Sequence, residues 1–284
     1  MKNKMYFATS VVLFVIIVLI ASGCGNQGNK VIFSSDMVKY DMQGGADFGF
    51  NVNVIMQDKD TKIEFVNFFG ENTEGLAVEM VDDSFEELKN LKYNGYYIRL
   101  LGFGCHTSNE YVQIDGMNLK VSGADMKIEF DTPIRHSVAN YDDAKYEYGG
   151  LYFTGRPSIV STMSYPSTEY SYDFSTEQDV IIEDFSFNNF LALDDAVVFV
   201  NMREIGMLKD LLPLEVKSGS SISIRGYFSF NGEGFSEYDS IYCISKLSYK
   251  SFDKANSYEI PGRLVSQSVS NTDDAKRVIE ILGK

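Results

Sequence analysis

Apolar and polar residues alternate with a period of two along most of this chain. Phe48, Phe50, Val52, Val54 and Met56 share one face, with Gly49, Asn51 and Asn53 on the other. Met126, Ile128 and Phe130 alternate with Lys127 and Glu129, and Tyr170, Tyr172 and Phe174 with Ser171 and Asp173. Ile222, Ile224, Phe228 and Phe230 lie opposite Ser221, Ser223 and Arg225. Successive side chains of a strand point to opposite faces, so the pattern predicts antiparallel strands with one buried face. Gly- and Asn-containing breaks at short intervals suit sandwiches and barrels.

Three segments read instead as short helices. Ser84 to Leu91 places apolar residues three apart, with acids early and Lys89 late. Arg203 to Leu212 is similar and stops at Pro213. At the C-terminus Ala275, Val278, Ile279 and Leu282 form an amphipathic face. Asn271 or Thr272 can cap that helix, Asp273 and Asp274 suit its first turn, and Gly283 its end. Its face either packs on its own domain or docks a partner.

A weak internal repeat runs beneath these elements. Ile63-Glu64-Phe65-Val66-Asn67-Phe68 resembles Ile182-Glu183-Asp184-Phe185-Ser186-Phe187, and Ala77 to Val81 resembles Ala196 to Val200. Asn94-Gly95 then matches Ser218-Gly219, and Leu119-Lys120-Val121 matches Leu247-Ser248-Tyr249. The preserved order predicts a duplicated unit of strand, strand, short helix, strand, strand. The fold class that follows is mainly β: two tandem antiparallel β-sandwich-like domains, each with a short helix, plus a C-terminal helix. Residues 35–165 form the first domain with its connector, 166–268 the second, and 269–284 the helix. Between 131 and 168, Tyr146, Tyr148, Leu151, Tyr152 and Phe153 suggest extra strands.

Composition narrows the partners. Of 284 residues, 25 are Lys or Arg and 40 are Asp or Glu, a formal charge of −15. Affinity for nucleic acid comes mainly from neutralising phosphates, so so acidic a surface argues against that partner. The 21 Phe and 18 Tyr exclude a disordered chain, and 3 Cys are too few for a disulfide scaffold.

The N-terminus carries an address. Lys2 and Lys4 precede an apolar core from Val11 to Ala21, followed by Ser22, Gly23 and Cys24. A basic start, a short apolar run and small residues before a cut site are the secretory pattern. Ala21-Ser22-Gly23-Cys24 resembles the lipobox of bacterial lipoproteins. That resemblance implies cleavage between Gly23 and Cys24, a lipid on the Cys24 thiol and acylation of the new N-terminus. Residues 1–23 are then a signal peptide and 24–34 a flexible tether, with Gly25-Asn26-Gln27-Gly28-Asn29-Lys30 suitably polar. The implied location is the extracytoplasmic side of the cell membrane. An uncleaved membrane anchor is the competing reading, although the pure apolar run is shorter than the ~20 residues of a spanning helix.

Reactive chemistry is sparse. No Gly-x-Ser-x-Gly elbow occurs. Ser251-Phe252-Asp253-Lys254, Ser186-Phe187-Asn188 and Lys217-Ser218-Gly219 match penicillin-binding boxes in scrambled order. Cys105 and His106 are strand neighbours pointing to opposite faces, so they form no dyad. Cys105 and Cys243 read as small buried residues, with a disulfide between them as the alternative. His106 and His136 are expected at the surface or in loops, too few for an imidazole metal site. Asp58-Lys59-Asp60, and Glu233, Glu237 and Asp239, are oxygen clusters that read as solvated hairpin tips. Tyr111 to Val121, with Ile114-Asp115 ahead of an apolar run, resembles the closing strand of jelly-roll carbohydrate-binding modules. That resemblance implies a glycan-binding face of Tyr and amide side chains.

No catalytic residue, metal site or cofactor is assigned. The sequence favours a non-catalytic, membrane-anchored lipoprotein that binds an envelope protein or a glycan. The rivals are an envelope hydrolase using a carboxylate pair and, less well matched, a solute-binding protein.

Overall fold

The computed structural model describes residues 30–138, 147–148, 151–153, 161–164, 169–187, 190–193, 195–230, 239–251, 257–267 and 269–284. The first strands are β1 (Val31–Phe33), β2 (Val38–Gly44), β3 (Asp47–Met56), β4 (Ile63–Phe69), β5 (Ala77–Asp82), β6 (Lys92–Tyr93), β7 (Tyr96–His106), β8 (Tyr111–Val121) and β9 (Ala124–Val138). Then come β10 (Glu147–Tyr148), β11 (Leu151–Phe153), β12 (Ser161–Ser164), β13 (Glu169–Thr176), β14 (Val180–Phe187), β15 (Leu191–Leu193), β16 (Val197–Val200) and β17 (Arg203–Met207). A one-turn helix α1 (Leu208–Leu211) leads to β18 (Leu214–Val216), β19 (Ser221–Phe230), β20 (Ser240–Ser251), β21 (Ser257–Gln267) and helix α2 (Thr272–Leu282).

The alternation works as read. Phe50, Val52 and Val54 of β3 and Leu101, Phe103 and Cys105 of β7 point inward and are buried. They meet Val112, Ile114, Met117 and Leu119 of β8 across a first sandwich. Tyr172, Phe174, Val198, Ile222 and Ile224 meet Val180, Ile182, Cys243, Leu247 and Tyr249 in a second. The chain is mainly β and sandwich-like, with hydrophobic burial between sheets holding each layer pair together.

The two sandwiches share one plan. The order β1-β3-β7-β5 in the first corresponds to β11-β13-β19-β16 in the second. The opposed layers are β2-β9-β8-β4 and β12-β21-β20-β14. Even the unusual pairing is repeated: β2 runs parallel to β9, and β12 parallel to β21. The sequence matches therefore fall on equivalent strands, with one adjustment. Inward-facing Val78 and Met80 of β5 correspond to Val198 and Val200 of β16, one residue away from the sequence offset.

Strand β2 also joins the halves. It runs parallel to β20, from Val38 beside Ser240 to Asp41 beside Cys243, so one layer of each sandwich belongs to a single nine-stranded sheet. Helix α2 reaches back from the chain's end to the first sandwich. Its Ala275, Val278 and Ile279 pack on Ile55 and Ile98 of β3 and β7, with Leu88 and Met37.

Two predicted helices are corrected. Ser84 to Leu91 forms consecutive turns, Phe85 O accepting from Leu88 N and Leu88 O from Leu91 N. Its three-residue spacing serves those turns as well as a helix, and Leu88 is still fully buried. Arg203 to Leu212 is strand β17 followed by the single turn α1, because Gly206 at φ +140° breaks any helix there.

Candidate functional site

Strand β8 lies between β9 and β4, so only one of its faces is free. Val112 and Ile114 point inward, then Met117, Leu119 and Val121 do. The switch from even to odd positions is a bulge between Ile114 and Gly116. The outward face is polar. The Tyr111 hydroxyl donates to Gln113 Oε1 at 3.0 Å, and Gln113 Nε2 donates to Asp115 Oδ1 at 2.8 Å. Arg135 Nε donates to the same Gln113 oxygen at 3.3 Å, and Asn118 Nδ2 donates to Asn67 Oδ1 at 2.9 Å.

One aromatic ring crosses this face. Phe69 at the end of β4 pairs with Gly116, and a Cβ at 116 would lie 2.4 Å from the Phe69 ring. Gly116 therefore lets the ring lie against the sheet. Lys127 Nζ sits 4.6 Å from the ring centroid and bonds Glu129 at 2.6 Å, which holds the Glu129 carboxyl below its usual range. The result is an aromatic ring with the Lys127 ammonium over it and amides and Glu129 nearby. The ring also covers the gap left by Gly116, so packing accounts for its position as well. The sequence resemblance drew attention to β8 but missed Phe69, whose role depends on pairing with Gly116.

A concavity of about 250 Å³ lies beside β7. Arg99 anchors its wall, donating to the carbonyls of Thr61 and Lys59 and pairing with Asp82 at 3.3 Å. Lys59, Asp60, Lys89, Asn90 and Tyr97 complete a lining of both charges.

The other sequence candidates fall as follows. Gly23 and Cys24 lie outside the described residues, as do Glu233, Glu237 and Lys254. Cys105 and Cys243 are both free and sit in the cores of different sandwiches, so they do not form the alternative disulfide. Burial pushes the Cys105 thiol up to about 12 and raises that of Cys243 further, with Asp41 adding to the latter. His106 is exposed, its Nδ1 2.7 Å from Asp47 Oδ1. His136 is a correction: it is only 1% exposed, within β9. Its Nε2 donates to Gly45 O at 2.8 Å, its Nδ1 lies 3.3 Å from the Tyr40 hydroxyl, and its ring stacks on Phe48. Asp58 to Asp60 is a local turn in which Asp58 Oδ1 accepts from Asp60 N, and Asp239 is buried rather than at a solvated tip. Among the described residues no three His, Cys, Asp or Glu are grouped to hold a metal. Glu129, Asp179 and Asp273 shift downward under nearby donors and cations, the opposite of what a general acid needs.

No protein-family model and no curated protein matches the chain. Solved structures give remote likenesses. The Enterococcus faecalis MSCRAMM ACE is 10% identical over 84% of this chain and 94% of its own, at a TM-score of 0.28. CfaE, the adhesive subunit of CFA/I fimbria of enterotoxigenic Escherichia coli, is 8% identical over 85% of this chain and 87% of its own, also at 0.28. An endo-fucoidan hydrolase of glycoside hydrolase family 107 is 12% identical at a TM-score of 0.24, and the chain spans 30% of its length. Scores this low assign no function.

Proposed function

We propose that this chain is a lipid-anchored extracytoplasmic protein that binds an envelope partner or ligand without catalysing a reaction on it. The observation that carries the reading is the order of chemistries at the N-terminus: Lys2 and Lys4, an apolar run, Ala21-Ser22-Gly23-Cys24, and a polar tether. A cysteine placed there accepts a diacylglyceryl group, and several acyl chains together anchor stably where one does not. No described helix is long and apolar enough to cross a membrane. The test is metabolic labelling with a clickable fatty acid in a bacterial host that processes lipoproteins. The wild type takes the label and partitions into detergent. Cys24→Ser takes none and keeps residues 1–23. A Cys24→Ser protein that is still cleaved and labelled would sink the proposal.

A glycan ligand is favoured by one observation, the Phe69 ring lying on Gly116 beside Asn67, Asn118 and Asp115. Once the Lys127 side chain swings off it, the ring offers a stacking surface for a pyranose, and the amides suit its hydroxyls. Calorimetric titration of residues 25–284 with solubilised cell-wall fragments and neutral polysaccharides, with and without calcium, checks this. Phe69→Ala removes the binding heat if the ring is the platform, and heat unchanged by Phe69→Ala excludes it.

A further inference from the structure

The two sandwiches differ where their shared plan predicts sameness. In the second, the side between its two sheets is closed by the segment that follows β16. Strand β17 pairs with the β16 edge, α1 crosses over, and β18 pairs with the β14 edge. Leu208, Leu214 and Val216 of that segment are buried in the core, with Leu211 and Leu212 packed against it. In the first sandwich, β5 and β4 are the equivalent edges, and the described residues supply no strand to either. The segment after β5 turns outward instead, burying Leu88 with Phe85 and Leu91 under α2. The seam between β4 and β5 is left with Ile63, Phe65, Val78 and Met80 only partly buried. The exposed apolar side chains Val66 (52%) and Val81 (40%) stand on its two rims.

The backbone of β5 is also available. Asp83 N–H donates to Leu100 O across the β5–β7 ladder. Strand alternation then turns the N–H and C=O of Val78, Met80 and Asp82 away from β7, along the open edge. Natural sheets cover or blunt such edges, and the same chain does so in its second sandwich. Charge specifies what would fit. From Ile63 to Asp83 the chain carries Glu64, Glu71, Glu74, Glu79, Asp82 and Asp83 and no Lys, Arg or His; Arg99 pairs with Asp82 and Lys120 lies opposite Glu64, and the acids still outnumber these cations. A second copy would bring the same acids to the edge, so self-pairing is disfavoured.

We infer that the seam between β4 and β5 is a docking site for an extended, positively charged, aliphatic segment of another protein. The segment adds a strand antiparallel to β5 and inserts alternate side chains between Phe65 and Met80, as β17 to β18 do in the second sandwich. This goes beyond glycan recognition on β8 and does not depend on the lipid.

The probe is a synthetic peptide of residues 203–216 carrying Glu204→Lys, Asp210→Lys and Glu215→Lys, added to residues 25–284 of the protein. Saturable binding is expected, about tenfold tighter than for the unsubstituted peptide and weakening with salt. Amide exchange at Val78, Met80 and Asp82 should slow on binding. Glu64→Lys with Glu79→Lys, both exposed, should weaken binding about tenfold while leaving the fold intact. Val78→Pro, which removes an edge N–H but no β7 bond, should abolish it. The proposal is overturned if no saturable binding occurs, if protection appears at β16 instead, or if the β5 edge amides are already protected in the free protein.

Discussion

Cys105, Cys243 and Tyr242 show how burial converts ordinary side chains into alkaline weak points. The Cys105 thiol moves from 9.0 to about 12 because its thiolate would lose hydration. The Tyr242 phenol moves from 10.0 to about 12, chiefly by burial, against the opposing donation of the Asn51 N–H. Folding favours the protonated form of both groups. Their contribution is complete below the ordinary values and is lost as pH rises through about 12, the folded value. Stability to urea should therefore decline from about pH 9 upward, and less steeply in Cys105→Ala. A flat profile over that window, or one unchanged in Cys105→Ala, would show that the thiol is already hydrated. The same burial predicts that Ellman's reagent reaches neither thiol at pH 8 until denaturant is added. His136 teaches a related lesson, since a lone histidine in an alternating strand gave no sign of its partners. Tyr40 and Gly45, some ninety residues earlier, satisfy both ring nitrogens.

Helix α2 behaves as its sequence says and can be tested on those terms. Asn271 Oδ1 accepts from the N–H groups of Asp273 and Asp274, and Asp273 pairs with Lys276 one turn on. Asn271→Ala should cost about 1 kcal/mol and Ile279→Ala about 2–5 kcal/mol, read as shifts in the urea midpoint. If neither moves the midpoint, α2 is not part of the cooperative fold. This helix was legible because its apolar positions fall at i, i+3, i+4 and i+7, a stripe only a helix brings to one face, and its cap, acids and closing Gly283 agree. Ser84 to Leu91 was not, because over two turns a spacing of three suits successive turns and a helix equally. Gly206 could have warned against a helix from Arg203, but its positive φ sits beside a register shift in the β16–β17 pairing, which no local pattern reveals. The bulge in β8 was visible as a change of parity between Ile114 and Met117. The Phe69 platform was not, since it needs the register of β4 against β8.

At the scale of the whole molecule, sequence order suggests two beads on a string, and pairing argues otherwise. From residue 30 the chain runs through the first sandwich, then the second, and returns as α2 to β3 and β7 of the first. Strand β2 sits between β9 and β20, so backbone hydrogen bonds run across the junction. Tyr242 of β20 is buried with the aromatic residues of the first core, its ring 5.2 Å from that of Tyr40. Parallel pairing between strands so distant in sequence leaves no local signature, so neither contact could be read from the pattern. Each ties the stability of one sandwich to the other. Residues 25–284 should unfold in a single calorimetric transition whose van't Hoff and calorimetric enthalpies agree. Tyr242→Ala should keep the two lobes folded but split that transition in two, because it empties the junction without touching α2. Two transitions already in the unaltered protein would mean that β2 binds the halves less tightly than each binds itself. The seam at β4 and β5 would then open and close with the first sandwich alone, and peptide binding there would raise only the transition of that lobe.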